Sequence, residues 1–285
     1  MTGVRPTAVG DALGDTSCAT HGVLTTLDDD GVLTVAFDRP PRNRLGVALS
    51  LEMERLLRDV AMDDRVRAVL LCGRGVGFCD GLDAEDFADT SRHDAATLRA
   101  AQAAAVVWPA RLLRDLPQPV IARVHGHCAG LGAGILAGCD VVLAADDCAF
   151  SLVDEGHGAF AHGPVGRMIA RVMDRRAADF HALTGAPFDG REAARRGLAT
   201  LSMPATELAR EAGALARELA AKDPLVLRFT KQTLEHVGAM SWEAALDFTG
   251  AKQAELKALQ AGRPSARADA VARFLAGASK PGLGQ

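Results

Sequence analysis

Alternating hydrophobic and polar positions predict a β-hairpin near the start of the chain. Gly22 to Leu27 and Val32 to Phe37 each alternate, and the acidic turn from Asp28 to Gly31 separates them. A period of two indicates strands that bury one face, and a short turn ending in glycine is typical of a hairpin. Residues 1–20 carry no clear period, so we expect a loose N-terminal tail there.

After the hairpin, apolar runs of strand type alternate with segments of helical period. A helix is predicted from Val47 to Ala61 and a long alanine-rich one from Ala95 to Leu116. Valine-rich runs predict buried strands at Val66 to Leu71, Pro119 to Val124 and Asp140 to Ala145. This alternation favours an α/β fold with a mainly parallel sheet or with stacked ββα turns.

From about Thr206 onward, every apolar pattern has the helical period. Four segments show it, namely Leu208 to Ala221, Pro224 to Val237, Trp242 to Leu259 and Ala266 to Leu275. We therefore divide the chain into a flexible tail of residues 1–20, an α/β core of residues 21–205 and a helical C-terminal region of residues 206–285.

Composition narrows the classes of function. The 285 residues are 24% charged with a formal net charge of -4, so the broad basic surface of a nucleic-acid-binding protein is not expected. No apolar run is long enough to span a membrane, and the first twenty residues lack the apolar stretch of a signal peptide. The six cysteines form no C-x-x-C pair, which favours reduced thiols. We expect a cytoplasmic protein without membrane or nucleic-acid partners.

Glycine is concentrated between His125 and Gly134, where a predicted strand ends and a helix begins. Glycines let the backbone approach a ligand closely, and the free N–H groups of a first helical turn favour negative charge. The segment therefore suits an oxyanion or a phosphate, or serves only close helix packing. A dinucleotide fingerprint fits poorly, because Ile135 stands where the third glycine belongs.

A second glycine loop, Phe78 to Asp83, also follows a predicted strand. Stabilisation of a thioester enolate requires two backbone N–H donors that converge on one oxygen. Two separate glycine loops supply such donors, so the pair favours an oxyanion hole.

Short motifs occur along the chain in a characteristic order. They are Arg39-Pro40, Asn43, Phe78-x-x-Gly81-x-Asp83, Pro119-Val120-Ile121-Ala122, Gly126 with the glycines after it, and Cys139-Asp140. In combination, from about residue 22 to the C-terminus, they resemble the crotonase (enoyl-CoA hydratase/isomerase) superfamily. The hydroxycinnamoyl-CoA hydratase-lyase branch is the most similar, on Lys222 to Arg228, Trp242-Glu243, Ala251-Lys252 and Lys280 to Leu283.

The resemblance implies a spiral of ββα turns in residues 21–205, which hold the active site, and a C-terminal region that forms a trimer or hexamer. It implies that the N–H groups of Leu82 and Leu131 are the oxyanion donors. The adenosine end of coenzyme A falls near Arg42 to Leu45 and Asp83-Ala84, with Arg42 and Arg44 in reach of its phosphates. An acyl-CoA thioester is the implied substrate, with no further cofactor and no metal.

Hydratases of the superfamily use two glutamates, at the positions of Gly134 and Asp154 in this chain. In the hydratase-lyase branch the first position is a serine, and the second residue moves the proton. We therefore expect Asp154 to be the main acid or base. Glu155 is a weaker candidate, because neighbours in an extended chain point to opposite faces. A single carboxylate favours a lyase or an isomerase over a two-carboxylate hydratase.

Other positions bear on the substrate. The branch binds a phenol through a tyrosine that falls at Gly250, and this chain has no tyrosine, so Phe248 is our candidate for the acyl pocket. Asp80 and His127 are polar additions to the two glycine loops. His162 occupies the position of a nucleophilic carboxylate in a dehalogenase branch, and a histidine is a suitable base near neutral pH. The predicted substrate-binding set is Asp80, Gly81, His127, Gly130, Gly134 and Phe248.

Three hypotheses follow from the sequence. The first is a CoA-thioester lyase, isomerase or hydratase that works through an enolate, with Asp154 as acid/base and His162 facing the substrate. The second is a hydrolase of carbon–carbon bonds in β-dicarbonyl compounds, for which Asp80, His157 and His162 would supply the polar groups. The third is a catalytically silent member that binds acyl-CoA.

Overall fold

The computed structural model describes residues 18–153, 164–261, 272 and 274–277. Its strands are, in chain order, β1 (Cys18–Thr20), β2 (Val23–Leu27), β3 (Val32–Phe37), β4 (Ala68–Gly73), β5 (Val120–Val124), β6 (His127–Ala129), β7 (Val141–Ala145), β8 (Ala149–Ser151) and β9 (Leu201–Met203). Its helices are α1 (Val47–Val60), α2 (Ala84–Ala88), α3 (Ala95–Val107), α4 (Leu113–Asp115), α5 (Leu131–Gly138), α6 (Pro164–Val172), α7 (Arg175–Thr184), α8 (Gly190–Arg196), α9 (Ala205–Ala220), α10 (Pro224–Val237) and α11 (Trp242–Gln260).

Seven strands form one sheet in the order β1-β2-β3-β4-β5-β7-β9, and β6 pairs with β8 in a second sheet. The hairpin β2–β3 is antiparallel, as its alternation predicts, and every pairing from β3 onward is parallel. The chain passes from β5 through β6 into α5, and then from β7 into β8. Each of these two turns thus adds one strand to the large sheet and one to the small sheet. The predicted spiral of ββα turns is confirmed.

The core forms where helices cover this sheet. All six residues of β4 are buried, as expected for a central parallel strand that is covered on both faces. The predicted apolar face of α1 is buried, namely Leu49, Met53, Leu56, Leu57 and Val60. Helix α9 crosses the sheet and contacts β3, β4, β5 and β7.

One predicted helix has an interruption. The sequence pattern from Ala95 to Leu116 predicts a single helix, but α3 is followed by a π-helical turn at Trp108–Leu112 before α4. Pro109 has no N–H to give to the preceding turn, and the N–H of Leu113 bonds instead to the carbonyl of Trp108, five residues back.

The chain forms two compact units, Met1–Ala221 and Lys222–Gln285. Helix α9, which the sequence pattern groups with the C-terminal helices, belongs to the first unit because it packs on the sheet. Residues 18–20, which lack a clear period, form β1 because β2 offers a pairing edge. In the second unit α10 and α11 pack against each other. Within the described ranges, no helix is long and apolar enough to cross a membrane.

Candidate active site

The peptide bond between Gly81 and Leu82 fixes the direction of the first predicted donor. The Gly81 carbonyl accepts a hydrogen bond from the N–H of Leu45 at 2.8 Å. In a planar trans peptide the carbonyl and the next N–H point in opposite directions, so the N–H of Leu82 points away from Leu45. Gly81 has a φ of 79°, a left-handed conformation that suits glycine. The N–H of Leu82 has no hydrogen-bond partner among the described residues.

The second predicted donor is oriented in the same manner. The carbonyl of Gly130 accepts a hydrogen bond from the N–H of Gly134 at 3.3 Å, inside the first turn of α5. The N–H of Leu131 lies in the same peptide as that carbonyl and therefore points out of the N-terminal end of the helix. Gly130 has φ 50° and ψ -118°, a combination that only glycine adopts readily.

Backbone contacts hold the two donor loops side by side. The N–H of Phe78 donates to His127 at 2.8 Å, and the N–H of Ala129 donates to Cys79 at 2.9 Å. Gly132 allows α5 to begin against the loop from Phe78 to Asp83, because a Cβ at this position would collide with the carbonyl oxygen of Cys79. The glycines therefore bring two backbones together, as well as permitting unusual torsion angles.

A cleft of about 310 Å³ lies beside these loops. Five residues predicted for the site line it, namely Arg42, Arg44, Asp80, Leu82 and His127. Ala129, two residues before Leu131, also lines it, whereas Leu131, Gly81, Gly130 and Gly134 are not part of the lining. The structure thus brings the predicted coenzyme A arginines and one oxyanion donor to a single cleft.

The charges in the cleft are arranged around Asp80. Its side chain is only 7% exposed and forms an ion pair with Arg42, whose Nη1 lies 3.0 Å from Oδ2. The N–H of Asp80 also donates to the Arg42 carbonyl at 3.1 Å. Arg44 forms no ion pair with a described carboxylate, and its Nε is buried without a hydrogen-bond partner. Among the residues that the structure describes, Arg44 is therefore a cleft cation without a carboxylate partner.

Asp83 and Ala84 lie beside the cleft and do not line it. Asp83 caps α2, where its carboxylate accepts the N–H of Asp86 at 3.2 Å, and it pairs with Arg39. Ala84 is the exposed first residue of α2. Their predicted contact with coenzyme A therefore rests on the family resemblance.

Gly134 lies in the buried part of α5. A Cβ at this position would lie 3.2 Å from a methyl group of Val165, on α6. A longer side chain would therefore have to displace α6 or pass beside it. The chain has no acid or base at this position, in agreement with the single-carboxylate hypothesis.

Several predicted site residues fall elsewhere. Asp154, Glu155, His157 and His162 lie outside the described residues. Phe248 lies in the second unit, where its ring packs edge-on against His236 at 5.8 Å and lies under the ammonium group of Lys252.

Strand β8 lines the cleft, although no sequence pattern predicts it. Ala149, Phe150 and Ser151 line it, together with Pro187. The Ser151 carbonyl accepts the N–H of Gly130 at 3.1 Å, which ties β8 to the second donor loop. A run of three residues is too short to show a strand period, so only the pairing of β8 with β6 reveals it.

Cysteine chemistry is disfavoured in the cleft. Cys128 contributes to the lining, but burial raises the pKa of its thiol well above the ordinary value. A buried protonated thiol is a poor nucleophile. Within the ranges that the structure describes, no three His, Cys, Asp or Glu side chains are grouped to hold a metal ion.

Comparison with known proteins identifies the family of the chain. The family model described as "Enoyl-CoA hydratase/isomerase" matches residues 28–260. A hydroxycinnamoyl-CoA hydratase-lyase of Pseudomonas fluorescens is 30% identical over 258 residues, which are 90% of this chain and 93% of that protein.

Two further proteins show the range of relatives. A (7aS)-7a-methyl-1,5-dioxo-2,3,5,6,7,7a-hexahydro-1H-indene-carboxyl-CoA hydrolase of Rhodococcus jostii is 27% identical over 76% of this chain and 81% of its own length. The crystal structure of an enoyl-CoA hydratase from Mycobacterium smegmatis superposes with a TM-score of 0.77, at 28% identity, over 90% of this chain and 96% of that chain. The chain therefore belongs to the enoyl-CoA hydratase/isomerase family of the crotonase superfamily.

Proposed function

We propose that this protein is a CoA-thioester lyase or isomerase that forms an enolate in a backbone oxyanion hole. The N–H groups of Leu82 and Leu131 hold the thioester oxygen, and Asp154 moves a proton at the acyl chain. The observation that supports the proposal best is the orientation of the two peptides. In each one the carbonyl is bonded on the far side, so its N–H is directed outward before any substrate arrives.

Preformed donors act where negative charge develops. As the α proton leaves, charge moves onto the thioester oxygen, and two fixed N–H groups stabilise that oxygen more in the transition state than in the ground state. No reorganisation of the backbone is needed at that moment. The Leu131 donor is also the first N–H of a helix, where the helix dipole favours negative charge.

The arginines of the cleft support coenzyme A as the carrier. Arg44 has no carboxylate partner among the described residues, and Arg42 donates to Asp80 through Nη1 alone. A guanidinium has five N–H donors, so both side chains retain donors for the phosphates of the carrier. The relatives named above are a CoA hydratase-lyase, a CoA hydrolase and an enoyl-CoA hydratase, which supports the same carrier.

A hydrolase is the second candidate. One relative is named as a hydrolase of a dioxo acyl-CoA. In that case water would attack a ketone carbon of a β-dicarbonyl acyl group, a carbon–carbon bond would break, and the leaving carbon would depart as an enolate. The polar groups Asp80 and His127 in the cleft are compatible with such a substrate.

The first experiment is incubation of the purified protein with a panel of acyl-CoA thioesters, read by mass spectrometry. Crotonyl-CoA, 3-hexenoyl-CoA, cinnamoyl-CoA, 3-hydroxy-3-phenylpropionyl-CoA and a β-diketone acyl-CoA report distinct reactions. Water addition raises the mass, isomerisation changes only retention, and cleavage shortens the acyl group or releases an aldehyde. Silence across the panel, with binding intact, would favour the catalytically silent hypothesis.

Two pairs of variants then test the assigned groups on the active thioester. Leu131→Pro removes the N–H together with the leucine side chain, at a helix position where proline is tolerated, and turnover should fall by about a hundredfold or more. Leu131→Ala keeps the N–H and should cost far less. Asp154→Asn removes the proton acceptor and should cost about a hundredfold or more in kcat, whereas Glu155→Gln should cost little. Equal losses from both Leu131 variants, or near-normal rates for Asp154→Asn, would contradict the assignment.

A further inference from the structure

We propose that Arg39 is a positioning residue, which holds the N–H of Leu82 in its catalytic direction through Asp83 and the loop that carries Arg44. The inference rests on the proposed function, in which that N–H is an oxyanion donor. Arg39 itself is not among the residues that line the cleft, so its action is indirect.

The guanidinium of Arg39 contacts three residues, namely the cap of α2, one residue within α2 and one in its own loop. Its Nη1 lies 2.5 Å from the Asp83 carboxylate and donates to the carbonyl of Arg44 at 2.9 Å. Its Nη2 lies 3.7 Å from the carboxylate of Asp86. Its own backbone N–H donates to the side chain of Asn43 at 2.8 Å, so both ends of the residue are held.

Asp83 transmits the constraint, because it is the residue next to the donor. Its N–H donates to the carbonyl of Leu45 at 2.9 Å, and its carboxylate accepts the N–H of Asp86 while it pairs with Arg39. The N–H of Leu45 in turn bonds to Gly81. Leu82 thus lies between two peptides that are both bonded to Leu45, and Arg39 holds the loop of Leu45 and the loop of Asp83 together.

Asp86 anchors the other end of this group. It is buried, and its Oδ2 accepts the N–H of Val47, at the start of α1, at 2.9 Å. Gly46 allows this approach, since a Cβ there would collide with the same oxygen. Without Arg39, the carboxylates of Asp83 and Asp86 would face each other across one turn of α2 with less positive charge beside them. Asp83 would then be freer to rotate and carry the Leu82 peptide with it.

A positioning role predicts a change at the thioester carbonyl, which a purely structural role would not cause. The probe is cinnamoyl-CoA with a ¹³C-labelled carbonyl, observed bound to the whole protein by difference infrared spectroscopy. Hydrogen bonds from an oxyanion hole lower the frequency of the carbonyl stretch. We expect a clear downward shift in the natural protein and a smaller shift in Arg39→Met, which keeps the stem and loses the guanidinium.

Steady-state kinetics provide the second readout, with the acyl-CoA thioester of the panel that the protein converts. In Arg39→Met, kcat should fall by about tenfold to a hundredfold, the cost of a displaced group near the reacting atoms. KM should change less than about threefold, because the cleft arginines remain. In Arg39→Lys, the ammonium group can reach fewer of the three acceptors, so the carbonyl frequency and kcat should be intermediate. If Arg39→Met does not fold, Arg39→Lys takes its place in both measurements. The matched control is Arg58→Met, which removes the exposed ion pair with Glu54 on α1.

The outcomes separate the two proposals. A carbonyl shift that is unchanged in both Arg39 variants would overturn the positioning role and leave the oxyanion hole intact. Bound cinnamoyl-CoA that shows no shift in the natural protein would overturn the oxyanion hole itself, and the role of Arg39 with it. A reduced shift in the Arg39 variants, with the control unchanged, supports both.

Discussion

At the scale of single residues, Asp80 is the most unusual feature of the cleft. A nearly buried carboxylate beside an oxyanion donor is unfavourable for an enolate unless its charge is compensated, and Arg42 provides that compensation. The ion pair uses one Nη of Arg42 and leaves the other donors of the guanidinium available. In the proposed function, this ion pair orients Arg42 before substrate arrives and so lowers the entropy lost on binding a phosphate of coenzyme A.

This arrangement predicts that Asp80→Asn affects thioesters of coenzyme A and leaves thioesters without phosphates unaffected. KM for the active CoA thioester should rise by about tenfold, equivalent to about 1.4 kcal/mol of binding, with kcat little changed. The corresponding N-acetylcysteamine thioester has no phosphates, so its kcat/KM should stay the same. Steady-state kinetics with both substrates provide the measurement. An equal loss with the short thioester would place Asp80 at the reacting atoms, and a lower KM would mean that it competes with the phosphates.

Asp86 allows a prediction about pH. Burial alone would raise the pKa of this carboxyl, but hydrogen bonds from His93 and Val47 and the charge of Arg39 outweigh it and hold the pKa below its ordinary value of 3.8. A lowered pKa in the folded state stabilises the fold above the ordinary value, and this contribution is lost as the pH falls through the lowered pKa. Asp86→Asn should therefore lower the melting temperature at pH 7, by an amount that shrinks below about pH 4.

Melting curves between pH 7 and pH 2 test this expectation. Asp64→Asn is the control, because Asp64 is exposed and has no ion pair among the described residues; its curve should run parallel to that of the natural protein. A difference between Asp86→Asn and the natural protein that stays constant down to pH 2 would contradict the lowered pKa.

Motifs predict the identity of the site residues, and contacts decide what each one does. The glycine loops predict a pair of backbone donors, and the family resemblance implies that these are the N–H groups of Leu82 and Leu131. The direction of each N–H depends on which group donates a hydrogen bond to the carbonyl of the same peptide. For Leu82 that group is the N–H of Leu45, which lies 37 positions earlier in the sequence. No local pattern reveals such a partner. The Arg39-Pro40 motif was recognised as part of the resemblance, but its link to Asp83 appears only in three dimensions.

At the scale of elements, long periodic segments were predictable and short ones were not. The apolar face of α1 and the hairpin β2–β3 follow directly from their periods. The strands β6, β8 and β9 have three residues each, and only their neighbours define them as strands. The π-helical turn after α3 arises where proline interrupts a pattern that otherwise continues.

The contact between the start of α5 and the loop from Phe78 to Asp83 makes Gly132 a test at this scale. Gly132→Ala adds one methyl group that would collide with the Cys79 carbonyl, so the helix must move away from the loop of Leu82. The two donors would separate, and kcat should fall by about a hundredfold. Gly238→Ala is the control, because a Cβ at Gly238 meets no atom within 4 Å. Comparable kcat values for both variants in folded protein would mean that this spacing does not matter.

At the scale of the whole molecule, the second compact unit leaves several large apolar side chains exposed. In the second unit, Leu234, Trp242 and Leu246 are 72%, 80% and 67% exposed. Apolar surface of this kind commonly marks an interface. The resemblance implies a trimer, and this stays a prediction for the chain.

Light scattering tests the assembly at micromolar concentration. The natural protein should have about three times the mass of one chain, or six times if trimers pair. Leu246→Glu places a charge on the exposed face of α11 and should shift the protein toward monomers. Leu183→Glu, at an 86% exposed position of α7 in the first unit, is the matched control. A natural protein that remains monomeric would overturn the trimer.

The bond between Leu45 and Gly81 has a consequence for how this protein could acquire new reactions. It turns the N–H of Leu82 away from Leu45. The candidates that move protons fall in a different stretch, at positions 154–162. In the proposed mechanism, polarising the carbonyl and moving the proton are separate tasks, carried by separate parts of the chain. Substitutions at positions 154–162 should therefore change the reaction while the carbonyl stays polarised.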